Sequence, residues 1–290
     1  MVTVFSGKDF AEKLEQKVAR SFSLLPPELQ KLTLVDILVG NDRAAQIYLN
    51  LKRLAAKRVG ISFGPIRLLK AVSENDLLDL IEKLNRSRRV GGIMFQLPLP
   101  KKFRIAQQRI IDEIAFDKDV DCLTSRRLAQ VISGKSSFLP ATVEAVMAIL
   151  EQAGVGKSNL SGKKVVVVGR SNVVGRPLAA LLGKYGALVT TCHRQTKLLS
   201  NYTQSAEIII SATGQPNLIK KAMVSSEQII IDVGSPEGDV DFLEVKDKAR
   251  FITPVPGGVG PVTVACLLAN FIRLVSKEGK QWERKKIAFC

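Results

Sequence analysis

The chain has 290 residues, of which 46% are hydrophobic and 24% are charged, so composition excludes a disordered chain, a collagen and a small disulfide scaffold, and the length suggests about two domains. Forty-three Lys and Arg residues against 27 Asp and Glu give a net charge of +16. This excess favours an anionic partner: nucleic acid, anionic lipid, or a phosphate- or carboxylate-rich small molecule.

A single histidine and scattered cysteines limit the chemistry available to the chain. Four cysteines form no Cys-x-x-Cys pair, and His193 alone cannot build a zinc site from several imidazoles. We therefore expect a reduced, cytoplasmic protein with no bound metal. The N terminus lacks a signal-peptide pattern, and the uncharged stretch 251–272 begins with too many prolines and glycines to cross a bilayer, so we expect no membrane partner.

Short apolar runs alternate with segments of helical period from end to end, which predicts an α/β architecture with a mostly parallel sheet. Gly60 is the expected C-terminal cap of one helix, and Ser73 is the expected N-terminal cap of the next. In chain order, the first half is predicted to contain a helix at 9–23, a strand at 32–39, a helix at 42–58, a strand at 61–69, a helix from the Ser73 cap to 85, a strand at 90–96 and a helix at 103–115.

A stretch rich in Gly, Ser and Pro near Phe138 predicts a crossing between domains, with one domain at 1–138 plus 271–290 and the other at 139–270. The last helix is expected to return to the first domain. In chain order, the second half is predicted to contain a helix at 142–153, a strand at 163–169, a helix at 174–185, strands at 187–192, 207–212 and 228–233, and a helix at 261–275.

The segment VVVVGRSNVVGRP at 165–177 has the form of a phosphate-binding turn. Gly169 and Gly175 flank a predicted strand-to-helix turn, where backbone can approach a pyrophosphate at the positive end of a helix. Ser171 stands where the usual pattern has a second glycine, so an ordinary turn remains an alternative. The next strand ends in His193 and Arg194 rather than in an acid, which favours NADP over NAD unless the arginine is a solvated surface charge.

Tyr48 and Lys52 lie four residues apart, on one face of the predicted helix 42–58. The helical neighbours of Lys52 at three and four residues are uncharged, so no carboxylate on its own helix pairs with it. An electrically unpartnered amine in a dry crevice suits acid/base chemistry. The alternative is a lysine at the rim of an apolar face, with its amine in solvent.

Other candidate side chains stand where strands end. Gln96 ends the strand 90–96, and ligands of open α/β sheets collect at such carboxyl ends. Asp121, in DKDVD, is either a carboxylate for an amino-bearing ligand or a structural acid. The sequence TPVPGGVGP at 253–261 forms either a rigid wall beside a flat ligand or a tight connection.

Five segments, at 39–61, 91–100, 117–121, 165–177 and 252–265, resemble in order the signature segments of the bifunctional methylenetetrahydrofolate dehydrogenase/cyclohydrolase family. The resemblance implies two α/β domains, an N-terminal folate-binding catalytic domain and a Rossmann-type NADP-binding domain, with the C-terminal helix returning to the first. It implies oxidation of 5,10-methylenetetrahydrofolate with NADP, then hydrolysis to 10-formyltetrahydrofolate, in the one-carbon metabolism that serves purine biosynthesis. The implied partners are a folate and a second copy in a homodimer, without nucleic acid or membrane. We expect part of the positive charge to attract polyglutamylated folates and the phosphates of NADP.

The resemblance also implies roles for individual residues. Tyr48 would pack against the folate, Lys52 would assist water attack and proton movement, Gln96 would bind near that lysine, and Asp121 would anchor the pteridine ring. Arg170, Ser171 and Arg194 would hold the 2′-phosphate. The implied substrate-binding set is Tyr48, Lys52, Gln96, Leu97, Asp121, Pro256, Gly257 and Gly258. The implied cofactor-binding set is Gly169, Arg170, Ser171, Gly175, Arg176, Pro177, His193, Arg194, Thr213, Gly214, Val233 and Gly234.

The chain departs from the family pattern at several places, and two other functions stay open. Cys122 follows DVD in place of glycine, PATVEA stands at 140–145 for Pro-Cys-Thr-Pro-x-Gly, and Ser235 and Pro236 replace an Ile-Asn pair. One alternative is an NADP oxidoreductase resembling shikimate dehydrogenase, without cyclohydrolase activity. The other is a non-catalytic basic binding protein, against which the scattered positions of the basic pairs argue.

Overall fold

The computed structural model describes residues 2–136 and 138–276. The strands are β1 (Thr3–Val4), β2 (Thr33–Val39), β3 (Ser62–Leu68), β4 (Val90–Phe95), β5 (Lys164–Val168), β6 (Leu188–Cys192), β7 (Ile208–Ser211), β8 (Gln228–Asp232) and β9 (Ala249–Ile252). The helices are α1 (Gly7–Ser23), α2 (Pro27–Gln30), α3 (Arg43–Val59), α4 (Glu74–Arg86), α5 (Gln107–Asp112), α6 (Ser125–Ile132), α7 (Ala141–Gln152), α8 (Gly175–Lys184), α9 (Leu199–Gln204), α10 (Phe242–Val245) and α11 (Val259–Val275). Single 3-10 turns stand at Lys101–Phe103, Lys221–Met223 and Lys246–Lys248.

These elements form two units, each with its own parallel sheet. The three-stranded unit comprises Glu12–Ala129 and 264–276, with strand order β3-β2-β4. The six-stranded unit comprises the chain up to Ala11 and Gln130–Thr263, with strand order β1-β9-β8-β7-β5-β6. Neighbouring strands are parallel throughout both sheets, so the predicted α/β architecture is confirmed.

Local signals set the ends of the helices in the three-stranded unit. Asp42 caps α3 by accepting a hydrogen bond from Ala45 N at 2.8 Å, and Gly60 ends the helix in the left-handed conformation, with φ of 92°. Ser73 caps α4 in a reciprocal capping box with Asp76. The predicted caps at Gly60 and Ser73 are therefore confirmed.

The C-terminal helix α11 packs on the three-stranded sheet. A side chain at Gly91 would lie 2.8 Å from Val275 Cγ1 and 3.1 Å from Phe271, which is itself fully buried. The absence of a side chain in β4 thus lets α11 approach the strand closely. The predicted return of the helix is confirmed for its described part, whereas 277–290 lie outside the described residues.

In the six-stranded unit the chain passes from β5 outward to β6 and then back to β7 on the other side of β5. This reversal is a topological switch point, and ligands of such sheets bind at the carboxyl ends of the strands that flank it. The strands β5, β7 and β8 are apolar and almost wholly buried, as expected for a parallel sheet covered on both faces.

The limits of the units differ from the predicted domains. Residues 2–11 belong to the six-stranded unit, because β1 pairs with β9, and the first crossing lies at 129–130 rather than near 138. The elements β1, β9 and α6 were not predicted: β1 and β9 are short, and α6, although amphipathic, has only eight residues. The helix predicted at 103–115 is shorter and is divided into a 3-10 turn and α5.

The uncharged stretch 251–272 contains the end of β9, a loop rich in Pro and Gly, and most of α11. Across residues 2–136 and 138–276, the helices do not combine the length and apolarity that a bilayer crossing requires.

Candidate active site

Lys52 lies inside the three-stranded unit, with 5% of its surface exposed. Its Nζ donates one hydrogen bond to Asp36 Oδ2 at 3.0 Å and another to Gln96 Oε1 at 2.8 Å. The same nitrogen lies 5.5 Å from the centre of the Tyr48 ring. The structure thus brings three predicted site residues together with one acid that was not predicted.

Asp36 is the functional candidate that sequence reasoning missed. It is the fourth residue of β2 and has no exposed surface. The expectation that Lys52 is electrically unpartnered is wrong: its helix supplies no acid, but β2 does. The signal in the sequence was an acid inside the apolar run TLVDILV, whose flanking residues are buried.

Burial makes the charged form of Asp36 costly. Oδ2 is paired with Lys52, while Oδ1 has no hydrogen-bond partner in the part of the chain that the structure describes. Burial raises the pKa of the Asp36 carboxyl, and the charge and hydrogen bond of Lys52 oppose that rise. The protonation of Asp36 therefore depends both on its burial and on the presence of Lys52.

Backbone pairing fixes the position of Gln96. Its N–H donates to Ile37 O at 2.9 Å, so the β2–β4 ladder extends one residue past β4, and Gln96 stands at the carboxyl edge of the sheet. Leu97 follows and is half-buried. Tyr48, one helical turn before Lys52 on α3, is also half-buried. The carboxyl edge of the three-stranded sheet therefore presents an amine, an amide and an aromatic ring.

In the DKDVD loop the buried acid is Asp119, and Asp121 is half-buried. Asp119 accepts hydrogen bonds from Leu123 N at 3.1 Å and from Thr124 N at 2.9 Å, so it holds the loop. Cys122 has a φ of 59°, a left-handed conformation that favours glycine. The chain therefore has a cysteine at a position whose backbone conformation favours the glycine of the family pattern.

In the six-stranded unit, the turn after β5 requires both of its glycines. Gly169 has a φ of 122°, and a Cβ there would overlap the carbonyl oxygen of Ala212. A Cβ at Gly175, the first residue of α8, would overlap the carbonyl oxygen of Gly169. Both positions therefore require glycine because other backbone segments of the protein approach them too closely for a side chain.

Ser171 caps the helix that begins at this turn. Its Oγ accepts hydrogen bonds from Val174 N at 3.1 Å and from Gly175 N at 3.4 Å. Arg176 is exposed and donates to Asn172 Oδ1 at 3.0 Å. In place of a second glycine, the turn thus has a hydroxyl that orders the N terminus of α8.

Two exposed arginines lie in the sequence within this turn and after the next strand. Arg170 follows Gly169, and Arg194 stands two residues past the end of β6. His193 is half-buried, and its Nδ1 accepts a hydrogen bond from Gln195 N at 3.2 Å. The end of β6 therefore carries positive charge and no acid.

The remaining predicted cofactor residues lie at the same edge. Thr213 and Gly214 are exposed just after β7, and Val233 and Gly234 follow β8. Pro177 is buried in the first turn of α8. The six-stranded sheet thus gathers the predicted cofactor residues at the carboxyl ends of β5, β6, β7 and β8 or in the turns that follow them.

A buried acid pair that was not predicted supports these turns. Asp232 ends β8 and accepts hydrogen bonds from Gly234 N at 2.8 Å, Asp239 N at 3.0 Å and Val240 N at 2.9 Å. Burial raises the pKa of Asp232 to about 6, against these hydrogen bonds and with a smaller contribution from the charge of Asp239. Asp239 Oδ2 accepts from Thr213 N at 2.6 Å, so the pair joins the turns after β7 and β8.

The loop TPVPGGVGP is a tight connection within the six-stranded unit. Gly257 O accepts a hydrogen bond from Gly7 N at 2.8 Å, and a Cβ at Gly258 would overlap the carbonyl oxygen of Pro254. Pro256 is exposed. The predicted substrate residues therefore divide between the units, with Pro256, Gly257 and Gly258 in one and the Lys52 cluster in the other.

The six-stranded unit fits a phosphorylated dinucleotide. The turn between β5 and α8 lies at the N terminus of a helix, where backbone N–H groups suit a pyrophosphate, and exposed arginines suit a 2′-phosphate better than an acid would. Within residues 2–136 and 138–276, His, Cys, Asp and Glu side chains form no group of three that could hold a metal ion.

Comparison with known families and proteins gives matches along nearly the whole chain. The model of the catalytic domain of tetrahydrofolate dehydrogenase/cyclohydrolase matches residues 5–121, and that of the NAD(P)-binding domain of the same family matches residues 140–279. The bifunctional protein FolD of Listeria innocua is 38% identical over 284 residues, covering 96% of this chain and 98% of that protein. FolD of Campylobacter hominis is 40% identical over 277 residues, covering 93% and 96%.

Solved structures of the same family superpose on this chain. The bifunctional FolD enzyme of Campylobacter jejuni superposes with a TM-score of 0.88 at 38% identity, over 96% of this chain and 100% of that one. The Trypanosoma brucei enzyme, crystallised with NADP and an inhibitor, gives 0.89 at 32% identity, over 96% and 99%. A shikimate 5-dehydrogenase of Thermus thermophilus gives 0.55 at 16% identity, over 84% and 94%, which shows the fold alone. The chain belongs to the tetrahydrofolate dehydrogenase/cyclohydrolase family.

Proposed function

We propose that this chain is a bifunctional enzyme of one-carbon metabolism. It oxidises 5,10-methylenetetrahydrofolate to the 5,10-methenyl form with NADP, and it hydrolyses the methenyl form to 10-formyltetrahydrofolate, a one-carbon donor for purine biosynthesis. The observation that carries the proposal is the buried Lys52 amine, held by Gln96 at the carboxyl edge of its sheet in a chain that matches bifunctional relatives almost end to end.

The hydrolytic step needs a group that manages the proton of the attacking water. The methenyl carbon is cationic, so water adds to it readily once its proton is accepted. Lys52 is the base in this proposal, with its amine aimed by the hydrogen bond to Gln96 Oε1. Tyr48 packs its ring against the flat pterin, Leu97 lines the site, and Asp121 binds the amino-bearing side of the ring.

The oxidation needs a nicotinamide held beside the reacting carbon. NADP, when bound, accepts the hydride of the methylene carbon. Gly169 and Gly175 give the turn its tight backbone shape, and the pyrophosphate binds at the N terminus of α8 that follows it. Arg170 and Arg194, with Ser171, bind the 2′-phosphate. Further contacts to the cofactor come from Arg176, Pro177, His193, Thr213, Gly214, Val233 and Gly234. The backbone at Pro256, Gly257 and Gly258 completes the folate contacts.

The test of the proposal is a paired assay of both activities in the wild type and in Lys52→Met. Wild type should accelerate the loss of methenyl absorbance and reduce NADP in the presence of methylenetetrahydrofolate. Lys52→Met should lose hydrolysis and keep NADP binding, because the cofactor residues lie in the other unit. Lys57→Met, which removes an exposed lysine from the same helix, is the matched control and should retain hydrolysis.

Retained hydrolysis in Lys52→Met would remove Lys52 from the mechanism. If the wild type reduces NADP with shikimate and not with methylenetetrahydrofolate, the alternative oxidoreductase function replaces the proposal. A salt-dependent shift of nucleic acid without either activity would favour the basic binding protein instead.

We also propose that two copies associate through β6. This strand is the outer strand of its sheet and exposes 60% of Leu188, and Tyr202 in the neighbouring α9 is 43% exposed. An uncovered apolar edge favours strand pairing with a second copy. Light scattering should give a dimer mass for the wild type and a monomer mass for Leu188→Lys. The control Leu243→Lys should stay dimeric, and a monomeric wild type would overturn this proposal.

The positive charge suits a polyglutamylated folate in this proposal. Exposed basic residues follow the carboxyl ends of all three strands in the three-stranded sheet: Arg43, Lys70, Lys101 and Arg104. The KM for a pentaglutamate substrate should be several-fold below that for the monoglutamate at low salt, and the advantage should shrink at high salt. Equal KM values at low salt would contradict it.

A cytoplasmic location is proposed because a reducing compartment keeps the buried thiols of Cys122, Cys192 and Cys266 reduced.

A further inference from the structure

The pair formed by Asp36 and Lys52 is more than the proposed reaction requires. Lys52 needs Gln96 to aim its amine, yet a second acceptor, Asp36 Oδ2, lies 3.0 Å from the same nitrogen and is wholly buried. A buried carboxylate is costly, and the other oxygen of Asp36 finds no hydrogen-bond partner among the described residues. A feature that costs folding free energy at the centre of a site calls for a functional explanation.

The two acceptors fix the direction of the amine. A tetrahedral nitrogen has three positions besides its bond to Cε, and Asp36 and Gln96 occupy two of them. One position is left, whether it carries a proton or a lone pair. Asp36 and Gln96 together therefore determine where Lys52 points toward a substrate.

The pair also determines where the proton of the amine can go. The carboxyl and the amine together hold one proton in their neutral net state, either as ammonium and carboxylate or as amine and carboxylic acid. Transfer along the 3.0 Å hydrogen bond converts one form into the other without changing the net charge of the buried site. Burial raises the pKa of Asp36, which brings the two forms closer in free energy.

The neighbouring strands place no titratable side chain in register with Asp36, and the Tyr48 ring lies 5.5 Å from Lys52 Nζ. The register partners of Asp36 on the neighbouring strands are Pro65 on β3 and Met94 on β4, which do not titrate. Lys52, from α3, is the charged group that acts on Asp36 within the described part of the chain, and Gln96 is an uncharged acceptor.

We propose that Asp36 is a positioning residue for the hydrolytic step, which takes the proton of Lys52 so that the amine can accept the proton of the attacking water. The inference rests on the proposed role of Lys52 in hydrolysis. Asp36 touches Lys52 rather than the substrate, and it makes the carboxyl–amine pair, instead of the amine alone, the unit that exchanges protons.

A proton moves from Lys52 Nζ to Asp36 Oδ2, and the neutral amine rotates about its Cε–Nζ bond so that its lone pair takes the remaining position. Water then forms a C–O bond to the methenyl carbon as its O–H bond breaks toward Lys52. The C–N bond to the ring nitrogen then breaks; that nitrogen takes up a proton while the new hydroxyl loses one to become the formyl carbonyl. One proton passes to solvent, in balance with the loss of the positive charge of the methenyl form, and the pair again holds one proton.

The experiment is the pH profile of kcat for methenyl hydrolysis between pH 6 and 9.5, after subtraction of the uncatalysed rate. Wild type should show a plateau through neutral pH, because the pair already holds its working proton. Asp36→Asn keeps the shape of the side chain but cannot take the proton, so its amine must lose the proton to solvent. Its kcat should be about 10-fold lower or more at pH 7, and the deficit should narrow as the pH rises.

Three results would overturn the inference. A deficit of equal size at every pH would mean that Asp36 is only structural. A gain at pH 7 in Asp36→Asn would mean that Asp36 merely holds Lys52 in its charged form. A wild-type kcat that itself rises about tenfold per pH unit between 6 and 9 would exclude the working pair, and this measurement needs no variant that could misfold.

Controls separate this inference from the proposed function. Asp36→Glu retains a carboxyl group and should restore part of the plateau, whereas Asp79→Asn removes an exposed acid from α4 and should leave the profile unchanged. If Lys52→Met keeps hydrolysis, the proposed function of Lys52 fails. If Lys52→Met is inactive while Asp36→Asn has the wild-type profile, the inference about Asp36 alone fails.

Discussion

The Lys52 cluster and the glycine turn differ in whether their charged side chains are buried or exposed. In the three-stranded unit, an amine and a carboxylate are both buried and lie 3.0 Å apart. In the six-stranded unit, Arg170 and Arg194 are exposed, and the proposed cofactor site is a turn whose tight backbone requires two glycines. A buried pair holds a proton in a defined place, which suits acid/base chemistry, whereas exposed cations beside the N terminus of a helix suit the recognition of a large anion.

The difference predicts how each region responds to substitution. Charges that are buried as a pair act on each other strongly, and removing one leaves the other without a counter-charge. Exposed charges act mainly through the ligand, so removing one changes affinity and leaves the fold intact.

Gly169→Ala should have the largest effect, because the added methyl group would overlap the carbonyl oxygen of Ala212 on backbone with a φ of 122°. We expect a loss of about 3 kcal/mol or more in the free energy of unfolding, together with loss of NADP binding. Urea denaturation and cofactor fluorescence would measure the two effects.

The matched control is Gly183→Ala in α8, where a methyl group meets no atom within 4 Å. It should leave NADP binding intact and increase stability by up to about 1 kcal/mol. If Gly169→Ala binds NADP with the wild-type affinity, the turn does not act through its backbone shape.

The buried acid Asp232 should make the stability of the protein depend on pH. A pKa raised from 3.8 to about 6 corresponds to a contribution of about 3 kcal/mol to the free energy of unfolding. This contribution is fully present below the pKa of the unfolded chain and is lost as the pH rises through about 6. Between pH 4.5 and 7.5, the free energy of unfolding of the wild type should therefore decrease relative to that of Asp232→Asn.

Denaturant titrations at both pH values would measure this difference, with Asp247→Asn, an exposed acid, as the control that should behave like the wild type. Identical pH dependence in the wild type and Asp232→Asn would mean that burial does not destabilise the charge of Asp232.

The smallest effect should come from an exposed cation. Arg194→Gln should raise the KM for NADP about 10-fold, since a charge-assisted contact to phosphate is lost, and it should leave the KM for NAD unchanged. Lys197→Gln, an exposed cation in the same loop, is the control. Equal effects of both substitutions would indicate a general field rather than a contact at Arg194.

Much of the fold could be predicted because its signals are local. Gly60 and Ser73 end and begin helices through contacts within a few residues, and the apolar strands β2, β4, β5, β7 and β8 stand out in the sequence. The two residues of β1 gave no signal, because a strand of that length is defined only by its partner β9.

The same distinction explains the site. Gly169, Gly175, Tyr48 and Lys52 lie within short motifs whose spacing is visible in the sequence. Asp36 is 16 residues before Lys52, and Gln96 is 44 residues after it, so their meeting depends on the order β3-β2-β4. Side chains that meet through sheet order cannot be paired from spacing alone, which is why the partner of Lys52 was missed.

The oxygen of Asp36 that lacks a hydrogen bond implies a trade between robustness and turnover. Replacing both Asp36 and Lys52 with leucine would remove two buried charges together and should raise the melting temperature. According to the proposed mechanism, the resulting protein would be more stable but would not hydrolyse the methenyl substrate. Selection for catalysis, in this view, keeps the three-stranded unit less durable than its sequence could make it.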